Sequence, residues 1–310
     1  MKTLVGLGAL EPAPSGSAVT IGTFDGLHVG HRALIARTLE AAGGALTSTV
    51  LTWDRHPFAT LRPDRVPPLL ASPRRRIELI ESTGVDVCAV LAFDRELSTW
   101  PPERFVEVVL AAGLGARKIV VGEGWRFGHK AAGDVNLLRE LGAALNFEVD
   151  AVPLAAADGD VLSSTRVRAA VASGDMELAA TLLGRRFDID GEVVRGDARG
   201  AALGFPTANL DVDPALARPP RGVYAGRART AGRWYSAAIN IGVNPTFGGA
   251  EGSTPIQIEA YLLDFDGDLY GTELRVEFWR RLRDEVRFES VDQLVAQIGE
   301  DVSATRALTC

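Results

Sequence analysis

The stretch Gly22–His31, GTFDGLHVGH, decides the fold of the first half of this chain. It follows and overlaps the apolar run 18–24, which predicts a buried strand, and leads into 30–42, where apolar residues recur at helical spacing. His28 and His31 stand three residues apart at the start of this predicted helix and therefore share one face. In open α/β sheets, ligands bind beyond the carboxyl ends of the strands, where helix N-termini attract anions. The stretch therefore predicts a phosphate site, at which the imidazoles donate hydrogen bonds and the glycines allow close approach.

The same alternation of strands and helices continues as far as residue 184. Further strands are predicted at 48–53, 86–93, 117–122 and 147–153, and further helices at 73–83, 102–112, 134–144, 164–173 and 175–183. Strands that alternate with helices indicate βαβ units and a parallel sheet that helices cover on both faces. We therefore predict an α/β, Rossmann-like domain over residues 1–184.

The pattern changes after Gly184, where strands follow one another without helices between them. The predicted strands cover 187–195, 222–228, 233–242, 256–264 and 273–279. Glycine- and proline-rich connections between short strands are typical of a small antiparallel barrel. An amphipathic helix follows at 290–306, and its apolar face carries Val291, Leu294, Val295 and Ile298. We predict a second domain, an antiparallel β-barrel with a terminal helix, over residues 185–310.

Composition and charge argue against several classes of function. Lys and Arg total 33 and Asp and Glu total 40, which gives the 310-residue chain a net charge of −7. An acidic chain is a poor candidate for binding nucleic acid or anionic membranes, and no apolar run reaches the ~18–20 residues that span a bilayer. No lysine stands in a GK[ST] context, which excludes a Walker-type loop, and Cys88 and Cys310 indicate neither a disulfide framework nor a zinc site. We expect a cytoplasmic protein that binds neither nucleic acid nor membranes and that could form a homo-oligomer.

Two other interpretations of the histidines are open. His28 and His31 could be ordinary surface residues of a helix, or they could form a zinc site with His56. No HExxH pattern and no nearby cysteine supports the zinc site. A second cluster, LSSTRVR at 162–168, combines hydroxyl groups and guanidinium groups at a predicted helix start. By itself this cluster fits either a phosphate site or a capped helix with a basic face.

These motifs resemble those of a known enzyme family. GTFDGLHVGH resembles the HxGH motif of the nucleotidylyltransferases, and SSTRVR at 163–168 resembles their second phosphate-binding motif. DRHP at 54–57 and VGEGWRFGHKAAGD at 121–134 are similar to the FMN adenylyltransferase module of the prokaryotic bifunctional riboflavin kinase/FAD synthetases. The resemblance covers nearly the whole chain. It implies that the first domain is a nucleotidylyltransferase that transfers an adenylyl group from ATP to FMN and releases pyrophosphate.

The resemblance also assigns residues of the first domain to two groups of ligands. His28 and His31 would act in catalysis on the ATP phosphates, and the other residues that would contact ATP are Gly22, Thr23, Phe24, Asp25, Gly30, Ser163, Ser164, Thr165, Arg166 and Arg168. The residues that would bind the flavin are Asp54, His56, Pro57, Gly122, Glu123, Arg126 and Phe127. Two positions of this domain depart from the family pattern, because Gly124 stands where an asparagine is expected and Trp125 where a phenylalanine is expected.

GFPTAN at 204–209 is the corresponding signal in the barrel. Thr207 offers a hydroxyl and Asn209 a carbonyl oxygen, and such oxygen ligands are those that Mg²⁺ prefers. As a bare pattern the stretch also fits a β-turn, but it resembles the riboflavin kinase motif. The resemblance implies that Thr207 and Asn209 hold Mg²⁺ and that Arg283 and Phe288 contact the flavin. The residues that would bind ATP in the kinase are Gly196, Gly200, Gly204, Pro206, Thr207 and Asn209.

Glu259 is the candidate base of the kinase reaction. Residues 185–310 contain no histidine, no lysine and no internal cysteine, so a carboxylate must accept the proton of an alcohol near neutral pH. Glu259 lies between apolar residues in a predicted strand, and it matches the catalytic glutamate of the family. An outward-facing polar residue of an antiparallel strand is the alternative. Glu277 is the next candidate for the base.

Together these features predict two consecutive reactions. The barrel would phosphorylate riboflavin to FMN, and the first domain would convert FMN to FAD, with ATP as co-substrate and Mg²⁺ as the metal in both. Gly124 motivates one alternative, a monofunctional riboflavin kinase with a weakened first domain. A flavin-binding protein without turnover is a second alternative. Ala198 also departs from the family pattern, since it stands in a loop that usually carries glycine.

Overall fold

The computed structural model describes residues 1–153, 156–157, 160–196, 200, 203–243 and 256–309. The chain forms two compact units. The first unit contains Met1–Pro67 and Pro73–Ser164, and the second contains Pro68–Ser72 and Thr165–Cys310. The division between the two compact units therefore lies after residue 164, whereas the predicted domain boundary lies after residue 184. Which of the two positions begins an independently folding domain stays a prediction.

A six-stranded parallel sheet forms the centre of the first unit, as predicted. Its spatial order is β1-β4-β3-β2-β5-β6. The strands are β1 Lys2–Val5, β2 Ser17–Ile21, β3 Thr47–Trp53, β4 Val87–Leu91, β5 Ala116–Gly122 and β6 Glu148–Val152. The helices are α1 Val29–Ala42, α2 Pro57–Leu61, α3 Pro73–Glu81, α4 Arg95–Ser98, α5 Pro102–Phe105 and α6 Val135–Leu145, and a π-helical segment, Val106–Gly113, continues α5. A short hairpin, β7 Ala156–Ala157 and β8 Asp160–Val161, precedes the second unit.

The core of the first unit lies around the central strands. Val19, Ile119 and Leu51 are completely buried there, and Phe105 and Phe127 pack at the edge of the same cluster. Because both faces of a parallel sheet are covered, its central strands read as continuous apolar runs. All five residues of β2 are buried, which fits that rule.

The second unit is a closed antiparallel barrel with helices outside it. The barrel order is β10-β13-β12-β11-β14-β9. Its strands are β9 Phe187–Val194, β10 Ala208–Asp211, β11 Gly222–Thr230, β12 Arg233–Val243, β13 Ile256–Leu262 and β14 Glu273–Arg283. The helices of this part of the chain are α7 Ser164–Ser173, α8 Met176–Leu183 and α9 Val291–Thr309. The predicted fold class, a parallel Rossmann-like sheet followed by an antiparallel barrel with a terminal helix, is confirmed.

Alternation along the strands separates the barrel core from its outer face. Ile258 and Ala260 of β13 point into the core and are 1% and 0% exposed, whereas Glu259 between them is only partly buried. Helix α9 packs on the outside against β11 and β12. Its first residue, Val291, is 60% exposed, so the predicted apolar face begins later, at Leu294. None of the helices in the described part of the chain is long and apolar enough to cross a membrane.

Candidate functional sites

The turn after β2 has an unusual backbone. The predicted strand 18–24 ends at Ile21, because Phe24 adopts the left-handed region with φ 50°. Leu27 follows with φ 44°, and both side chains are completely buried. Left-handed conformations cost bulky residues ~1–2 kcal/mol each, so the packing of these two side chains must hold the turn in shape.

His28 and His31 form a pair at the start of α1. The backbone N–H of His31 donates to Nδ1 of His28 at 3.3 Å, so His28 caps the helix. The two imidazole rings stack with their centroids 3.6 Å apart, and Gly30 leaves room, since a Cβ atom there would lie 3.1 Å from the His28 ring. Because Nδ1 of His28 accepts a hydrogen bond, neutral His28 carries its proton on Nε2. The geometry therefore makes Nε2 of His28 a donor.

The two predicted phosphate motifs meet at one hydrogen bond. The hydroxyl of Ser164 donates to the carbonyl oxygen of Asp25 at 3.2 Å. Asp25 is only 2% exposed and Phe24 is 0% exposed, so their side chains support the turn. Within the second unit, Nε of Arg168 donates to the carbonyl oxygen of Pro68 at 2.6 Å. Ser163 and Arg166 are half-buried and Thr165 is exposed.

A large aromatic cavity opens beside this turn. Its volume is about 820 Å³, and Gly22 and Thr23 form part of its wall. The aromatic rings of Trp125 and Phe127 stack in the wall with centroids 4.6 Å apart. The other lining residues are Trp53, Pro57, Phe58, Leu61, Arg62, Phe93, Leu97, Ser98, Trp100, Phe105, Arg126, Gly128, His129, Lys130 and Ala131. Such a cavity fits a flat aromatic ligand of the size of a flavin.

Only three of the predicted flavin residues line this cavity, namely Pro57, Arg126 and Phe127. The Asp54 carboxylate instead accepts the backbone N–H of Phe93 at 3.0 Å and hydrogen bonds from Arg55. Burial raises the pKa of Asp54, but the hydrogen bonds from Arg55 and Phe93 outweigh it and lower the pKa overall.

The other predicted flavin residues stand at element ends. His56 caps α2 by accepting the backbone N–H of Phe58 on Nδ1 at 3.1 Å. Gly122 ends β5, and Glu123, which follows it, is exposed. A Cβ atom at Gly124 would have no heavy atom of the described residues within 4 Å, so the missing asparagine would find open space there.

A second cavity, of about 320 Å³, lies on the outer face of the barrel. Glu259 lines it and is the strand partner of Asn209 on one side and of Asn240 on the other. The pairing continues from Asn240 to Val223 and from Val223 to Arg283. Asn209, Glu259, Asn240 and Arg283 are thus the polar residues of one row that crosses five strands, with Val223 between Asn240 and Arg283. We call this set the barrel row.

Helix α9 closes the same cavity with Leu294, Ile298 and Asp301. The carboxylate of Asp301, a residue that is 6% exposed, accepts hydrogen bonds from Arg283, with Nε at 3.0 Å and Nη2 at 2.7 Å. Bidentate hydrogen bonding to a carboxylate fixes the plane of a guanidinium group. The Phe288 ring lies 5.8 Å from the Arg283 guanidinium, so both residues that were predicted to contact flavin line this cavity.

Some residues of the GFPTAN stretch and of the loop before it line the cavity, and others lie outside its lining. Thr207 and Gly200 line the cavity, whereas Pro206 and Gly204 are exposed beside it. Gly196 lies against Asn209, since a Cβ atom at Gly196 would collide with Nδ2 of the Asn209 amide. Ala198 lies outside the described residues.

The oxygen atoms of Thr207 and Asn209 suit a metal that is shared with a ligand. Thr207 lies just before β10, and Asn209 lies two residues later within it. Both side chains therefore face the same side as Glu259. No group of three or more His, Cys, Asp or Glu side chains that could hold a metal occurs among the described residues. Mg²⁺ at Thr207 and Asn209 would therefore take its remaining ligands from nucleotide phosphates and water, a set that this hard cation accepts.

Comparison with known proteins supports the same two activities. A family model described as FAD synthetase matches residues 10–166, and one described as riboflavin kinase matches residues 183–309. The bifunctional riboflavin kinase/FMN adenylyltransferase of Pseudomonas fluorescens is 38% identical over 309 residues, covering 99% of this chain and 98% of that protein. The protein of the same name from Escherichia coli K12 is 35% identical and covers 99% and 97%.

The chain belongs to the family of bifunctional riboflavin kinases/FMN adenylyltransferases. It is therefore an enzyme of flavin cofactor synthesis with an FAD synthetase domain and a riboflavin kinase domain. A solved structure from Streptococcus pneumoniae, described as a macrolide-efflux protein, shares the fold with a TM-score of 0.88 and 31% identity over 99% of both chains.

Several residues of this riboflavin kinase/FMN adenylyltransferase escaped the sequence analysis. Asn240 and Asp301 line the barrel cavity because of strand register and helix packing, and no local motif contains them. Trp53, Phe93 and Trp100 line the aromatic cavity beside Gly22 and Thr23, which we call the front cavity, from three separate segments. An aromatic residue at the end of a predicted parallel strand was the only available signal for part of this set.

Proposed function

We propose that the two reactions of the enzyme take place in the two cavities described above. FMN adenylylation is placed in the aromatic cavity beside Gly22–His31, and riboflavin phosphorylation in the barrel cavity. The barrel row carries the proposal, because Glu259 stands opposite both Asn209 and Asn240 and shares its cavity with Thr207. A base and the oxygen ligands for a nucleotide-bound metal thus stand on one face.

In the kinase reaction, Glu259 accepts the proton of the primary hydroxyl group of riboflavin. That oxygen attacks the γ-phosphorus of ATP, and ADP leaves. Arg283, held by Asp301, and Phe288 orient the flavin. Mg²⁺ held by Thr207 and Asn209 would neutralise charge on the phosphates.

In the adenylyl transfer, a phosphate oxygen of FMN attacks the α-phosphorus of ATP, and pyrophosphate leaves. The Nε2–H group of His28 donates to a phosphate oxygen on which negative charge develops. His31, whose ring stacks on that of His28, and the backbone N–H groups at the start of α1 provide further hydrogen-bond donors. The flavin ring stacks on the aromatic wall that Trp125 and Phe127 form.

Two variants test this division of labour. Glu259→Gln keeps the shape of the side chain but cannot take the proton, so FMN formation should fall by about 10²-fold or more. His28→Asn keeps a helix-capping side chain but removes the imidazole, so FAD formation from FMN should fall by about 10²–10³-fold. Chromatography that separates riboflavin, FMN and FAD measures both activities in each variant.

Each variant is the control for the other. Glu259→Gln should still convert supplied FMN to FAD, and His28→Asn should still convert riboflavin to FMN. Loss of both activities in either variant, or loss of neither, contradicts the assignment. The cytoplasmic location and the homo-oligomer stay predictions that rest on the sequence alone.

A further inference from the structure

A buried arginine lies directly beneath the turn of the front cavity. Arg76 belongs to α3, and only 4% of it is exposed. Its guanidinium group donates from Nη2 to the carbonyl oxygen of Trp53 and from Nη1 to that of Thr23, the latter at 3.4 Å. Trp53 is the last residue of β3, and Thr23 follows the end of β2. One side chain therefore joins the carboxyl ends of two neighbouring parallel strands.

The burial of this charge is costly and is not balanced by hydrogen bonds alone. Removal of an ion from water costs several kcal/mol, even in the relaxed interior of a protein. Burial lowers the pKa of Arg76, and the negative charges that Asp25, Cys88 and Asp54 can carry oppose this shift. Nε of Arg76 has no hydrogen-bond partner among the described residues. A bridge between two carbonyl groups needs donors but no full charge, so the charge itself calls for another explanation.

The location of Arg76 supplies that explanation. Thr23 and Trp53, whose carbonyl groups it binds, both line the aromatic cavity. Carbonyl oxygens at the carboxyl ends of parallel strands carry partial negative charge, which opposes the binding of polyphosphate. The chain as a whole carries a net charge of −7, so a nucleotide must find its positive charge locally.

We propose that Arg76 is a positioning residue for adenylyl transfer, which also supplies a buried positive charge to the polyphosphate of the nucleotide. It engages the Thr23 and Trp53 carbonyl groups, fixes the turn that leads to His28, and offsets the negative end of the strands. The proposal rests on the proposed function of the front cavity.

Two substitutions in the full-length chain separate the charge from the bridge. Arg76→Met removes both, so KM for ATP should rise and the affinity for inorganic pyrophosphate should fall, each by about tenfold or more, with kcat also lowered. Arg76→Lys keeps the charge but cannot reach both carbonyl groups in the same way. It should keep the pyrophosphate affinity and lower kcat. Pyrophosphate binding is measured by titration calorimetry, and FAD formation is measured with FMN supplied.

Arg74→Met is the matched control. Arg74 lies on the same helix, and its substitution by Met removes the same charge. Its side chain is exposed, and its Nε lies 3.5 Å from Oε1 of Glu78. It should leave KM for ATP and pyrophosphate affinity unchanged. Riboflavin phosphorylation by each variant checks that the second unit is intact.

Three results would overturn the proposal. These are unchanged pyrophosphate affinity in Arg76→Met, equal loss of that affinity in Arg76→Lys, or an equal effect of Arg74→Met. If Arg76→Met does not fold, Arg76→Lys decides by itself, because retained affinity with lowered kcat supports the proposal and any other combination contradicts it. If His28→Asn spares FAD formation, the proposed function of the cavity has failed instead.

Discussion

Glu259 and Glu277 are both half-buried on barrel strands, yet their surroundings differ. Glu259 belongs to the barrel row and lines the barrel cavity. Glu277 does not line it, and its carboxylate accepts the Trp279 indole N–H at 3.1 Å. Burial raises the pKa of Glu277, and Asp188 raises it further, against the hydrogen bond of Trp279 and the charges of two arginines. A shifted pKa therefore does not identify the base by itself, and the position in the cavity favours Glu259.

Glu277→Gln is expected to stabilise the protein at high pH and to leave the kinase active. A carboxyl group whose pKa is higher in the folded state contributes most to stability below its ordinary pKa, and this contribution is lost as the pH rises through the raised value. The free energy of unfolding of Glu277→Gln minus that of the wild type should therefore increase between about pH 4 and pH 8, the range that brackets an ordinary and a raised glutamate pKa. Urea unfolding across this range measures the difference.

Kinase turnover completes this prediction. A near-normal rate in Glu277→Gln beside a large loss in Glu259→Gln supports the assignment of the base. A stability difference that is flat or falls with pH would contradict the raised pKa.

At the scale of elements, local pattern predicted most of the structure but missed four strands, namely β1, β10 and the two-residue strands β7 and β8. The strand–turn–helix at Gly22–His31 and the barrel strands were predicted because apolar periodicity and capping residues are local signals. β10 was missed because Pro206 and the polar Asn209 favour a turn, and tertiary pairing with β9 and β13 overrode that preference. β1 is an edge strand of four residues, too short for a period to show.

The candidate sites divide in the same way. The motif residues His28, Thr207 and Glu259 are recognisable in the sequence, whereas Asn240 reaches the barrel row only through strand register. Register depends on the whole barrel, and a shift by one residue would move Asn240 to the other face. The structure was therefore necessary to find it.

Gly196→Ala should impair the kinase by displacing a neighbouring side chain. The new Cβ atom would overlap Nδ2 of Asn209, so the amide must move away from its place in the barrel row. Displacements of about 1 Å cost up to ~10² in rate, and we expect a loss of about tenfold or more in kcat/KM for ATP. Steady-state kinetics of FMN formation at saturating riboflavin measures this effect.

Gly299→Ala is the control for this substitution. Gly299 lies in α9, and no heavy atom of the described residues stands within 4 Å of the Cβ position. Kinase activity should be unchanged, and the unfolding free energy should rise by up to about 1 kcal/mol from helix propensity. Equal activity of the two variants would show that Asn209 does not need its present position.

At the scale of the whole molecule, the unit that contains the barrel also includes helices that precede it. Met176, Ala179, Leu182 and Leu183 of α8 are at most 1% exposed, and the helix packs on β9 and β14. A fragment that begins after residue 184 lacks α8, so the side chains of β9 and β14 on which this helix packs would lose their cover. The family model for riboflavin kinase, by contrast, begins at residue 183.

A fragment of residues 165–310 should therefore be more stable than one of residues 185–310. Burial of each large apolar side chain contributes about 1.5–3 kcal/mol, so the difference in unfolding free energy should be at least about 3 kcal/mol. Urea unfolding monitored by circular dichroism measures it, with riboflavin phosphorylation as the test of function. Equal stability would place the start of the folding domain after residue 184.

The aromatic wall of the front cavity also gives the enzyme an optical reporter. Three of its five tryptophans, Trp53, Trp100 and Trp125, line that cavity, and the other two belong to the barrel. An isoalloxazine ring absorbs light where indole emits, so a flavin seated among these three residues would quench their fluorescence by energy transfer. Flavin binding in this cavity can then be followed in real time in the unlabelled protein.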